Sequence, residues 1–176
     1  MDNDSHKLIS EISEIPDFLG EPPAIHFGAA VLWGALTGAV AMVVPLAFSN
    51  PANAAAALTA GLYFVIIFAG LFTLAGMLVI GLPVTALLRA ARAEHRYLYA
   101  GIGFVAGFSI FGVVVGLPSR YELEALVFLF AGGLAGFASA LRWGRWREAL
   151  ARYRQQLVDQ EMQPEKRSNP IHDLIH

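Results

Sequence analysis

The sequence predicts an all-α integral membrane protein: a four-transmembrane-helix bundle followed by a cytoplasmic amphipathic C-terminal helix. Three observations carry that expectation. Of 176 residues, 56% are hydrophobic and 15% charged, more apolar surface than one soluble domain of this size can hide. Four apolar stretches, at residues 27–48, 56–80, 98–117 and 123–141, are each long enough to cross a hydrocarbon core of about 30 Å at about 1.5 Å per residue. None of the 12 Lys and Arg side chains falls inside them, and eleven lie on one side of the implied membrane against Arg120 alone on the other. The positive-inside rule then places both termini in the cytoplasm.

Taken in order, residues 1–26 form an acidic cytoplasmic arm with six carboxylates, Asp2, Asp4, Glu11, Glu14, Asp17 and Glu21, against Lys7. Leu8, Ile12 and Ile15 recur at helical spacing before Pro16 interrupts, which predicts one short amphipathic piece. The transmembrane domain occupies residues 27–141. After the first span, Asn50 followed by Pro51 has the pattern of an N-cap with proline at the first helical position. The apolar run from Pro51 to Leu88 is far longer than one bilayer crossing, so Gly81 and Pro83 predict a kink near residue 80. A helical extension then carries Arg89, Arg92 and Arg96, whose spacing puts them on one face. The third span begins beside Tyr97 and Tyr99. Ser119 and Glu122 suggest a capping box for the fourth. Residues 142–162 predict a basic amphipathic helix and residues 163–176 a flexible tail.

Within the spans the glycine pairs Gly34/Gly38, Gly103/Gly107, Gly112/Gly116 and Gly132/Gly136 share the Gly-x-x-x-Gly spacing. In lipid no hydrophobic drive brings helices together, so small residues that let backbones approach raise the dispersion contact. Packing within one chain is the first reading and packing between copies the second.

The segment Arg142–Leu157 carries Trp143, Trp146, Leu150, Tyr153 and Leu157 at alternating spacings of three and four, amid Arg142, Arg145, Arg147, Arg152 and Arg154. One reading lays this helix on the inner leaflet, with its aromatic face buried and its arginines on anionic headgroups. The other extends the fourth span as a stalk that meets a second helix. Tryptophan suits a bilayer interface, which favours the first. On that reading Arg89, Arg92, Arg96, Arg142, Trp143, Arg145, Trp146 and Arg147 form the lipid-headgroup and interface set, and acidic residues of the arm compete for the same arginines.

The chemistry-bearing residues are sparse. No cysteine is present, which removes disulfides, thiolate metal sites and cysteine nucleophiles. The spans contain no ionisable group of the kind that marks a proton-coupled transporter. Their hydroxyls, on Thr37, Thr59, Thr73, Ser109 and Ser139, can bond the preceding turn of their own helices. His172 and His176 have an i, i+4 spacing but no third ligand, and Glu94-His95-Arg96 reads as a solvated surface turn without a nucleophile. No cofactor, metal, catalytic set or nucleic-acid partner is expected. Ten arginines against two lysines in an alanine- and glycine-rich chain suggest a bacterial source and hence the inner membrane. The expectation is a small non-enzymatic structural or accessory membrane protein whose partners are the bilayer, its anionic lipids, and a second copy or another membrane protein. A small oligomeric channel or transporter is the alternative.

Overall fold

The computed structural model describes residues 20–49, 54–115 and 123–162. They form five α-helices: α1 Pro23–Ser49, α2 Ala54–Gly76, α3 Leu82–Ala90, α4 Arg96–Val115 and α5 Leu123–Met162. A π-helical turn, Met77–Gly81, joins α2 to α3. No strand occurs among the described residues. Four helical stretches are long and apolar enough to cross a membrane: Pro23–Pro45, Ile66–Ala90, Arg96–Val113 and Leu126–Asp159. The arm's amphipathic piece, the Asn50–Pro51 and Ser119–Glu122 caps, Gly116, and the tail with His172 and His176 lie outside the described residues.

Alanines make up half of the buried apolar residues described, and many large apolar side chains face outward, unlike a water-soluble bundle. Ala30, Ala35, Ala39, Ala131, Ala135 and Ala140 are buried, whereas Leu32, Trp33, Tyr63, Ile67, Val79, Val105 and Val113 are exposed. In water, large apolar groups drive folding by leaving the surface. In lipid that gain vanishes, and small residues at the contacts let helices approach.

Helix α5 is central, with α4 along one side and α1 along another; α2 packs mainly on α1. Between α4 and α5 the backbones nearly touch. A Cβ placed on Gly107 would overlap the carbonyl of Gly132, and one on Gly136 would overlap the carbonyl of Gly103. Between α1 and α5, a Cβ on Gly34 would lie 2.8 Å from Ser139 Cβ and 2.9 Å from the Ala135 carbonyl. Gly38 faces Ala135, and Gly112 faces Leu129 with ordinary clearance. The described glycines of the four pairs thus contact other helices of the same chain.

Two local expectations are corrected. The break near residue 80 is a π turn, closed by the Leu82 N–H on the Met77 carbonyl. Pro83 follows in the first turn of α3. Further on, Arg89, Arg92 and Arg96 do not share a helix face. Helix α3 ends at Ala90, with Ala93 N–H on the Leu88 carbonyl at 2.9 Å and Arg92 N–H on the Arg89 carbonyl at 3.1 Å. These paired bonds are a Schellman closure, and they put Arg92 in the left-handed region at φ 52°. Arg96 belongs to the next helix.

Candidate functional site

At the end of the bundle where α1 and α4 begin, polar side chains from three chain segments converge on α5. The Schellman turn delivers Glu94 to Arg147, which donates from Nε to Glu94 Oε1 at 3.0 Å and pairs with the same oxygen through Nη2. The two side chains are 10% and 9% exposed, so this is a buried ion pair and not a solvated one. Tyr99 donates its hydroxyl to Glu94 Oε1 at 3.5 Å. Beside it, Trp143 donates Nε1–H to Thr85 Oγ1 at 2.9 Å, and Thr85 donates to the Gly81 carbonyl at 2.7 Å. That chain ties α5 to the first turn of α3.

Glu148, one α5 residue further, accepts the Arg96 backbone N–H at 3.2 Å and pairs with Arg152. A helix's first N–H groups have no intrahelical acceptor, and a carboxylate there also meets the positive end of the helix dipole. Glu148 therefore caps α4 from a neighbouring helix.

The aromatic residues complete the contact with α1. His26 stacks on Trp146 with ring centroids 4.9 Å apart and planes 17° from parallel, while Phe27 meets Trp143 edge-on at 5.7 Å. His26 Nε2 also lies 3.5 Å from Glu21 Oε2. The Arg147 guanidinium carbon is 5.7 Å from the Trp146 ring centroid. Trp146 Nε1 and Ser139 Oγ are buried with no hydrogen-bond partner among the described residues; for Ser139 this departs from the expected bond to its own helix.

Towards the bundle's middle, an apolar cavity of about 290 Å³ opens between α2, the π turn, α4 and α5. Phe72, Met77, Ile110, Phe111 and Phe128 are among its lining residues, and Tyr99 and Trp143 border it as well as belonging to the polar cluster. The cluster thus adjoins the cavity through Tyr99 and Trp143. Such walls exclude hydrated ions and accept hydrocarbon. No group of three or more His, Cys, Asp or Glu able to hold a metal occurs among the described residues.

Three of the residues expected at lipid headgroups lie elsewhere. Trp143, Trp146 and Arg147 are 6%, 8% and 7% exposed, packed against α1, α4 and the α3–α4 turn. An amphipathic stripe satisfies a helical neighbour as well as it satisfies a bilayer surface, and here the neighbours occupy it. Arg96 is half-buried beside Glu148, whereas Arg89, Arg92, Arg142 and Arg145 are exposed. The stripe also runs without interruption from the fourth apolar stretch, since α5 is one helix of 40 residues. Glu94 is corrected from solvated turn to buried partner. Thr85, Glu148 and His26 were not singled out by composition or spacing, and Tyr99 was noted only as flanking the third span. Their signal was weak but present: Glu94 and Glu148 are lone carboxylates within otherwise basic segments, where each has cations to pair with.

No family model, curated protein or solved structure matches this chain. The reading of function therefore stands on the residues.

Proposed function

We propose that this chain is a non-catalytic multi-pass membrane protein, a structural or accessory component that works through its helix faces and the projecting end of α5. The observation that carries the proposal is the set of four long apolar helices with alanines and glycines at their contacts and many large apolar side chains facing outward, which suits lipid as the surrounding solvent. The cation split of eleven to one supports cytoplasmic termini and, with the arginine-rich composition, a bacterial inner membrane. The apolar lining of the cavity supports binding within the bundle over conduction through it.

The test is reconstitution. Vesicles containing the purified protein should retain protons, potassium and a small anionic dye as well as protein-free vesicles of the same lipids. Selective flux of any of these above the protein-free rate would replace the accessory role with a channel or transporter.

A further inference from the structure

The cavity beside α4 and α5 contains a hydrogen-bond donor with nothing to bond. Ser139 lines it, is 1% exposed, and its Oγ has no partner among the described residues. The α1 side of this hydroxyl is filled, since a Cβ on Gly34 would stand 2.8 Å from Ser139 Cβ, and the cavity is the side with space. A hydroxyl withdrawn from water is costly until it meets an acceptor. Apart from Thr73, Tyr99 and Trp143 the other lining residues are apolar, so the acceptor that suits this place arrives on a hydrocarbon.

The shape of the cavity narrows the choice. Trp143 and Phe128, both lining residues on α5, are separated by about 22 Å of helix, whereas the hydrocarbon of one leaflet is about 15 Å deep. A volume of about 290 Å³ drawn out over that length is one hydrocarbon chain wide. Access is from the side. Helix α2 meets α4 through Phe72 and Phe111, whose ring centroids are 5.6 Å apart, but neither the π turn nor α3 packs along α4. That leaves a gap with Ile80 and Val84 on one wall and Ile102 and Ala106 on the other. Charge at the polar end selects the head of the ligand. Arg142 precedes Trp143 on α5, and Arg89 stands one helical turn beyond Thr85, the acceptor of the Trp143 N–H. Both arginines are exposed and form no ion pair among the described residues.

We infer that the cavity holds one acyl chain of an anionic phospholipid, with its ester carbonyl accepting from Ser139 Oγ and its phosphate at the Arg89–Arg142 end. Ser139 lies about 6 Å of helix short of Trp143. A carbonyl at that level leaves the glycerol and phosphate beside the arginines and directs the chain towards Phe128, while the second chain stays in the bilayer. The inference rests on the membrane reading above and does not depend on which side the termini occupy.

The tryptophans make the test selective. Trp33 is 56% exposed on the outside of the bundle, whereas Trp143 and Trp146 are buried and Trp143 lines the cavity. The full-length protein is reconstituted in vesicles containing phosphatidylglycerol brominated early in its acyl chains, and quenching of tryptophan fluorescence is measured. In a Trp33→Phe background, quenching should be largely lost on Ala106→Phe, which fills the cavity, and unchanged on Val105→Phe, which adds the same ring at an exposed neighbour. Ser139→Ala should raise the brominated-lipid fraction needed for half-quenching about two- to ten-fold, the worth of one hydrogen bond, and decides the matter should Ala106→Phe fail to fold. Brominated phosphatidylcholine should quench more weakly. Quenching that survives Ala106→Phe, or a Ser139→Ala curve that overlays its parent, would overturn the site. Equal quenching by phosphatidylcholine would overturn the anionic headgroup, and quenching by brominated stearic acid but not by the phospholipid would assign the cavity to a free fatty acid. In the unsubstituted protein Trp33 reports insertion by itself. Quenched Trp33 with unquenched Trp143 would overturn the acyl-chain site alone, whereas unquenched Trp33 would overturn the membrane reading beneath it.

Discussion

Adding one methyl group at Gly107 tests the α4–α5 contact most directly. The Cβ of an alanine there would overlap the Gly132 carbonyl, a backbone atom that cannot rotate away, so the helices must separate locally. Overpacking of a tight contact costs about 1–3 kcal/mol. Against this, replacing glycine within a helix by alanine stabilises the helix by about 0.5–1 kcal/mol. Gly101 supplies the reference: it lies on the same helix with nothing within 4 Å of where its Cβ would stand. Gly101→Ala should therefore be neutral to stabilising. Gly107→Ala should be less stable than Gly101→Ala by about 1–3 kcal/mol, the overpacking cost left once the shared helix gain cancels. Unfolding in mixed detergent micelles by titration with sodium dodecyl sulfate, followed by circular dichroism, reads that gap. Equal midpoints for the two variants would refute the claim that backbone proximity at Gly107 holds the helices together. Gly136→Ala, set against the Gly103 carbonyl, should behave like Gly107→Ala, and the double variant should be less than additive because both substitutions open the same contact.

Arg147→Met leaves the Glu94 carboxylate buried without its cation and should destabilise the fold by about 3–5 kcal/mol, while Arg147→Met with Glu94→Leu should recover most of the loss; a neutral single variant in the same titration would contradict a closed ion pair. Thr85→Val removes the acceptor of Trp143 Nε1–H at nearly constant volume, at a cost of about 1–3 kcal/mol, and should broaden the near-ultraviolet circular dichroism of the tryptophans. Alkaline phosphatase fused within residues 50–53 or 118–121 should be active, and the same enzyme fused after Met162 should be inactive; the opposite pattern would invert the topology.

The parts of the fold that were legible in the sequence are those a single dominant force specifies. Uninterrupted apolar length marks four helices long and apolar enough to cross a membrane, and Gly-x-x-x-Gly spacing marks positions where backbones approach. The residues at the polar end were not legible for a different reason. Glu94 and Arg147 stand 53 positions apart, and nothing local distinguishes a buried pair from two solvated charges. Trp143 and Trp146 were assigned to a bilayer surface because periodicity reveals that a face is apolar but not which apolar material covers it. The run from Gly81 to Pro83 signalled an interruption, yet whether proline is relieved by a bend or by a π turn depends on the helices packed against it. The register of α1 on α5 emerged only once His26 was found against Trp146.

Helix α5 also has a mechanical character that α1 and the path from α2 to α3 lack. Helix α1 contains Pro45, and the path from α2 to α3 includes a π turn, so both have a point of compliance. The 40 residues of α5 contain neither, and about 60 Å of continuous hydrogen-bonded helix resists bending and twisting along its length. Its glycine contacts with α4 act as a bearing near one end, and the Glu94–Arg147 pair acts as a latch partway along. A tilt imposed at these contacts would be carried along a helix without a compliant point, displacing Met162, the end farthest from the glycine contacts, the most.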